Sequence, residues 1–193
     1  MKKITAPIGN DFCPQSLFLY GTYREDGTPN FGLFCWFTYY WTADRKLGVI
    51  ASIGEKKLTM DLLRKNKAFS ANLVTEATLP LADYMGCTSG YNKHKMDIPA
   101  RIEKGQVLDV PTLADCPVSM ELQVESSACF GEGEVFFCKV CNVTADEALL
   151  GDALTLEEKL RRVAPVGYTC DTYFGWDGSV IARAGEPRKN FAL

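Results

Sequence analysis

Four side chains suited to holding an anion fall close together: Ser52, Lys56, Lys57 and Thr59. They sit in the run Ala51-Ser52-Ile53-Gly54-Glu55-Lys56-Lys57-Leu58-Thr59. The pattern is an apolar strand that ends in a Ser/Gly turn and passes into a helix. A helix N-terminus leaves backbone N–H groups unpaired and carries the positive end of the helix dipole. Lysines are unfavourable at that end unless an anion joins them. A phosphate would satisfy the amides, the lysines and both hydroxyls together. The alternative is that Ser52 caps the helix, Glu55 completes a capping box, and the lysines are merely solvated. Spacing alone leaves both open, and the dipole conflict favours the phosphate.

A second segment suits a flat ligand. In the run Phe34 to Trp41, strand alternation places Phe34, Trp36, Thr38 and Tyr40 on one face and Cys35, Phe37, Tyr39 and Trp41 on the other. Both faces are apolar, so the strand is expected to be buried on two sides. One face can fill a barrel. The other needs a helix, a partner subunit or a flat ligand, although plain core explains such a strand more often than not. A third segment, Gly86 to Lys95, is polar, basic and glycine-flanked. It is suited to lie over a ligand or to form an ordinary surface excursion.

Other chemistries are excluded. His94 is the single histidine, which removes HExxH and two-histidine metal sites. A Ser-His-Asp triad would have to use that one residue, in a polar loop. There is no P-loop, and Gly131-Glu132-Gly133 reads as a hairpin turn rather than part of a dinucleotide fingerprint. Cys138-Lys139-Val140-Cys141 lies in a strand, where residues three apart point to opposite faces. The chain has eight cysteines, mostly within apolar segments, and they read as reduced small hydrophobes with no catalytic part. Asn142-Val143-Thr144 matches a glycosylation acceptor but has no meaning in a cytoplasmic chain.

The formal net charge is −3, which gives no basic excess for nucleic acid. Hydrophobic residues make up 47% of the 193 positions and charged residues 23%, the mix of a globular protein with a sizeable core. One domain over residues 1–193 is expected. No apolar run reaches the ~18 residues of a membrane span. Met1-Lys2-Lys3 is followed at once by Pro7, Gly9, Asn10 and Asp11 rather than by an apolar signal core, so a cytoplasmic protein is expected.

The elements that must position these segments are mostly strands. Strands are predicted at 17–24, 30–41, 47–53 and 69–74, with an Asp26-Gly27 hairpin turn after the first. Two long strands, 118–126 and 134–145, form a second hairpin. Helices are predicted at about 55–65, at 79–85, and from a Thr155–Glu158 capping box to about Val163. Shorter strands are expected near Tyr168 and at 179–182. Residues 75–110 are otherwise irregular. Strands do not alternate regularly with helices, so a closed or partly open antiparallel barrel with inserted helices is expected rather than a parallel sheet.

At this point the chain resembles the flavin reductase-like, FMN-binding split-barrel family. The resemblance rests on Gly27-Thr28-Pro29-Asn30 leading into Trp36-Phe37-Thr38, on Ser52, Lys56, Lys57 and Thr59, on Ser70-Ala71-Asn72, and on Ser89-Gly90 with Lys95. It covers about Leu17 to Tyr173, and within the family it is greatest to flavoredoxin-type proteins. It implies a mainly β, antiparallel Greek-key split barrel that binds FMN. It implies that the cofactor lies among Phe34, Cys35, Trp36, Phe37, Thr38, Ala51, Ser52, Ile53, Gly54, Lys56, Lys57, Thr59, Asn72, Ser89 and Lys95. It further implies a homodimer and hydride transfer from NADH or NADPH, or alternatively an electron carrier that serves an acceptor protein. A non-redox binding barrel is the remaining alternative. The resemblance also explains a chain with one histidine and no clustered carboxylates, because a flavin brings its own electron sink. One departure bears on nicotinamide use: positions where many members carry histidine hold Lys57 and Tyr173.

Overall fold

The structure is a computed structural model that describes residues 3–151, 153–177 and 179–182. Its strands are β1 (Gln15–Ser16), β2 (Phe18–Tyr23), β3 (Pro29–Phe34), β4 (Phe37–Trp41), β5 (Leu47–Ile53), β6 (Ala68–Leu73), β7 (Ile102–Lys104), β8 (Pro111–Leu113), β9 (Val118–Phe130), β10 (Gly133–Ala145), β11 (Gly167–Thr169) and β12 (Thr172–Phe174). Three helices interrupt them: α1 (Leu58–Asn66), α2 (Leu79–Cys87) and α3 (Leu156–Val163). No helix among the described residues is long and apolar enough to cross a membrane.

Seven strands form one antiparallel sheet in the order β3-β2-β6-β9-β10-β5-β4. The pairings β2–β6 and β5–β10 join strands distant in sequence and give the Greek-key crossing. The outermost strands, β3 and β4, are separated by only Cys35 and Trp36. The two edges of the sheet are therefore forced back together, and the sheet curls into a barrel split at that point. The Phe18 and Phe37 rings stack across the split with centroids 4.1 Å apart.

Period-two alternation divides β2 between two cores. Phe18 and Tyr20 point into the barrel with Val49, Phe69, Leu122 and Phe136, and α1 closes that core with Met60 and Leu63. Leu17 and Leu19 flank them on the opposite side, against Ala82 and Met85 of α2. Strand β2 is thus covered on both faces.

The predicted strand at 30–41 is corrected in two ways. It breaks at Cys35–Trp36, where the Phe37 N–H donates to Cys35 O at 3.0 Å. The break shifts the alternation by one residue, so Phe34 and Phe37 both pack on the barrel core. The rest of β4 is the sheet's edge, with Tyr39 and Trp41 exposed rather than doubly buried.

The helix predicted at 55–65 begins later. Lys57 is its N-cap, in extended conformation and without a side-chain cap bond, while Ser52 is still inside β5. The Ser52–Glu55 capping box does not form. The capping box predicted for α3 does: Glu158 N–H donates to Thr155 Oγ1 at 3.2 Å, and Thr155 N–H to Glu158 Oε2 at 2.7 Å. Residues 179–182 form no strand; Thr172–Phe174 pairs with Gly167–Thr169 instead. Within the irregular 75–110 region and just after it, Ile102–Lys104 and Pro111–Leu113 pair as a small ribbon. The loop between them is anchored by the buried Glu121 carboxylate, which accepts the N–H groups of Gln106, Val107 and Leu108. Burial raises its pKa, but Asn142 and these three amides outweigh that and lower it.

Candidate functional site

Where α1 begins, its first amides face the C-terminal end of α2 and the Thr88–Lys95 loop across a polar pocket of about 320 Å³. Lys56, Lys57, Thr59, Ser89 and Lys95 line it. Lys95 is only 2% exposed, and its ammonium donates to Met85 O at 2.6 Å. Burial, then the charges of Arg24 and Lys57, lower its pKa to about 8. Arg24 is fixed by donating to Gly90 O at 2.7 Å. Two acids lie near, neither of them buried: Glu55 is paired with Lys57 at 2.6 Å, and Asp61 accepts from the Tyr91 hydroxyl at 2.7 Å. A buried ammonium without a carboxylate partner, beside further cations, marks a place where an anion is favourable.

Behind Thr59 and Gly90 of this pocket lies a buried orphan. Asn30 Nδ2 donates to Thr59 Oγ1 at 3.0 Å, and both residues are buried. Asn30 Oδ1 is buried without a partner. Two glycines keep the space beside these atoms open. A Cβ on Gly32 would sit 2.8 Å from Thr59 Oγ1, and one on Gly90 would sit 3.0 Å from Asn30 Oδ1.

The polar pocket runs into an apolar cleft of about 520 Å³; Leu33, Phe34, Lys57, Gly86 and Cys87 line both. Cys35, Trp36, Ser52, Tyr168 and Tyr173 complete the cleft's walls. The Trp36 ring lies so close over Gly54 that a Cβ there would be 2.5 Å from it. Tyr173 O–H donates to Asp83 at 2.6 Å, and Tyr168 O–H to Asp171 at 2.8 Å. The bond to Asp171, then burial, pushes the Tyr168 phenol up to about 12. Burial, then the bond to Asp83, raises that of Tyr173 further. Both phenols therefore remain protonated at neutral pH.

The sequence-predicted residues separate into three groups. Phe34, Cys35, Trp36, Ser52, Gly54, Lys56, Lys57, Thr59, Ser89 and Lys95 line the two connected spaces. Phe37 and Thr38 line a neighbouring hollow that shares Trp36 and Ser52 with the cleft. Ala51, Ile53 and Asn72 do not line these spaces. Ala51 and Ile53 are fully buried in the barrel, as alternation on either side of Ser52 requires. Asn72 is a structural clamp. It donates to Leu19 O and Ser70 Oγ, and accepts from Leu113 N and Ser119 Oγ, all within 3.0 Å.

Sequence reasoning missed Arg24, Asn30, Gly32 and the Tyr168–Tyr173 pair as site residues. Asn30 left one signal, a polar residue opening an otherwise apolar strand. Tyr173 left one through the resemblance, as a position where many members carry histidine; Tyr168 left none, because a short hairpin brings it to the cleft from far along the chain.

A curled antiparallel sheet split between β3 and β4, with a basic pocket at the start of α1, defines a split barrel of flavin reductase-like type. The flavin reductase like domain model matches residues 11–168, and the chain belongs to that family. Among solved structures, the flavoredoxin of Desulfovibrio vulgaris (Miyazaki F) is similar at a TM-score of 0.81, with 24% identity over 96% of this chain and 98% of that one. Flavoredoxin from Methanosarcina acetivorans is similar at 0.84, with 18% identity over 100% of both chains. The FMN-binding protein from Thermus thermophilus with bound p-hydroxybenzaldehyde is similar at 0.74, with 22% identity over 95% and 99%. No curated protein matches the chain.

Proposed function

We propose that this chain is an FMN-binding flavoprotein, one flavin reductase-like domain that oxidises NADH or NADPH. The observation that carries the proposal is the joining of a cationic pocket to an aromatic-walled cleft. The buried, uncompensated Lys95, the open amides of α1 and the Gly32–Gly90 cradle suit a phosphate. The unpartnered Asn30 Oδ1 suits a hydroxyl donor beside it, such as those of a ribityl chain. The apolar cleft, roofed by Trp36 and flanked by Tyr168 and Tyr173, suits a flat ring system.

In this reading Lys56, Lys57, Lys95, Thr59 and Ser89 hold the phosphate, each charge-assisted contact contributing roughly 1.5–3 kcal/mol. Bound FMN would supply the hydride-accepting chemistry. The protein's part is positioning. Cys35, Trp36 and Ser52 bound one side of the ring space, and the Cys87–Lys95 loop borders the space left for nicotinamide. Orientation of this kind can supply several kcal/mol of a barrier. Protonated Tyr168 and Tyr173 exclude water without exchanging protons. A second copy of the chain would cover Tyr39 and Trp41 on the exposed β4 edge, giving a homodimer.

The test is an FMN titration of the purified chain, followed by anaerobic absorbance spectra before and after NADH or NADPH. Flavin binding with bleaching by either nucleotide is the expected result. Binding without bleaching favours the second reading, a flavoredoxin-type electron carrier docking an acceptor protein, for which the exposed β4 aromatics are the supporting feature. Absence of flavin binding would leave a non-redox barrel.

A further inference from the structure

Two exposed free cysteines, Cys13 and Cys170, both adjoin the Asn10–Cys13 turn at one corner of the barrel. Strands β1 and β11 pair Gln15 with Tyr168 and Ser16 with Gly167. Just beyond this ladder, Cys13 precedes β1 and Cys170 opens the β11–β12 turn in left-handed conformation (φ 46°). A turn reinforces the placement. Asn10 O accepts the Cys13 N–H at 3.0 Å and the Thr169 hydroxyl at 2.9 Å. One carbonyl thus gathers the residue preceding Cys170 and the backbone of Cys13 itself. The Cys170 thiol donates to Asp11 Oδ1 at 3.5 Å and Asn10 Oδ1 at 3.7 Å, both on the turn that leads into Cys13. Gln15 Nε2 donates to Cys13 Sγ at 3.3 Å, which places that sulfur on the Gln15 side of the chain, the side Tyr168 shares.

We propose that Cys13 and Cys170 form a reversible disulfide that staples the N-terminal segment to the β11–β12 hairpin. The hairpin carries Tyr168 and Tyr173, so the staple fixes one wall of the cleft. In a reducing compartment the pair rests as thiols, and it closes when low-molecular-weight disulfide accumulates. The step is thiol–disulfide exchange. One cysteine thiolate attacks a sulfur of the external disulfide, forming a mixed disulfide and expelling one thiolate. The second cysteine thiolate attacks the protein sulfur of that mixed bond and expels the other. Two protein thiols lose two protons and two electrons, and one external disulfide becomes two thiols. This inference goes beyond the flavin reading and does not depend on it.

The sequence makes the test clean. Trypsin releases Cys13 in a peptide of residues 4–24 and Cys170 in one of residues 163–183, each with no other cysteine. The full-length reduced chain is treated with oxidised glutathione, alkylated, digested without reductant and analysed by mass spectrometry. The expected product is the linked pair 4–24/163–183, lost on adding reductant. Because the two sites lie near opposite ends of the chain, closure should also raise the melting temperature by about 5–10 °C. That rise should be absent from Cys13→Ser and Cys170→Ser. The linked peptide from the wild-type chain stands even if a variant fails to fold. Glutathione adducts alone, links through Cys35 or Cys87, or links only between chains would overturn the proposal.

Discussion

The two halves of the cleft are built differently. The polar half is made by the start of α1, the end of α2 and the floor of β3, and its key groups are buried: Lys95, Asn30 and Thr59. The apolar half is made by a two-residue break between strands and by a short hairpin, and Trp36 is 51% exposed. The buried half has its groups fixed before any ligand arrives, and it accumulates positive charge at a cost. The exposed half offers area but little preorganisation. The difference teaches where affinity and specificity should come from: the anion pocket should decide whether a ligand binds, and the slot should decide how its ring lies.

The sharpest way to break this comparison is to remove charge from the polar half. Replacing Lys56 and Lys57 together by Ala should weaken FMN about 100-fold or more and riboflavin by no more than a few-fold, measured by fluorescence titration. Equal losses for both ligands would mean that the phosphate does not sit there. The Asn72→Ala change is the complementary control. It removes four buried hydrogen bonds outside the cleft and should cost about 2–4 kcal/mol of stability in urea unfolding, with FMN affinity unchanged. A loss of FMN affinity with stability intact would return Asn72 to the site.

How far the sequence revealed these halves follows from the range of the interactions. Lys56, Lys57 and Thr59 lie close in sequence, report a strand-to-helix junction directly and do share the polar pocket, whereas Ser52, read with them, lines the apolar cleft instead. The antiparallel split barrel followed from hairpin spacing and the resemblance. What escaped depends on tertiary geometry. The break at Cys35–Trp36 occurs where the sheet's own edges meet, so local alternation read straight through it. Asn72 reads as a ligand or as a clamp with equal ease until Leu113 and Ser119 are seen to surround it. Alternation applied strictly to β5 would have placed the Ala51 and Ile53 side chains in the barrel, since Ser52 between them can face the cleft only if its neighbours face the core.

A smaller effect separates the halves by pH. Lys95 is depressed to about 8 in the folded protein, against 10.5 for a free lysine. Below about 8 it is charged in both folded and unfolded states, and its burial penalty is present in full. Between about 8 and 10.5 the unfolded chain binds more protons, so the ligand-free protein gains stability as pH rises. A bound phosphate, already dianionic above about pH 7, favours the charged lysine. FMN affinity should therefore be flat from pH 7 to about 8 and fall by up to tenfold by about pH 9. Riboflavin affinity should not follow it. A parallel fall for riboflavin would move the titrating group out of the phosphate pocket.

The smallest expected effect belongs to the exposed half and tests whether it recognises the ring alone. Trp36 is held over Gly54, where a Cβ would clash with its ring. Its indole therefore has a defined place at the slot even though half of it meets solvent. Aromatic contacts of this kind contribute about 0.5–1.5 kcal/mol beyond buried area. Trp36→Ala should weaken FMN and riboflavin alike, by about threefold to tenfold, because both carry the same ring and the change leaves the lysines in place. Trp36→Phe should recover most of the loss by keeping a flat apolar surface in the same position. The informative quantity is the FMN-to-riboflavin affinity ratio. It should collapse in the lysine variants and stay constant in both Trp36 variants. If Trp36→Ala also lowered the ratio, the indole would be orienting the phosphate half through the shared Phe34–Lys57 wall, and the two halves would act as one site.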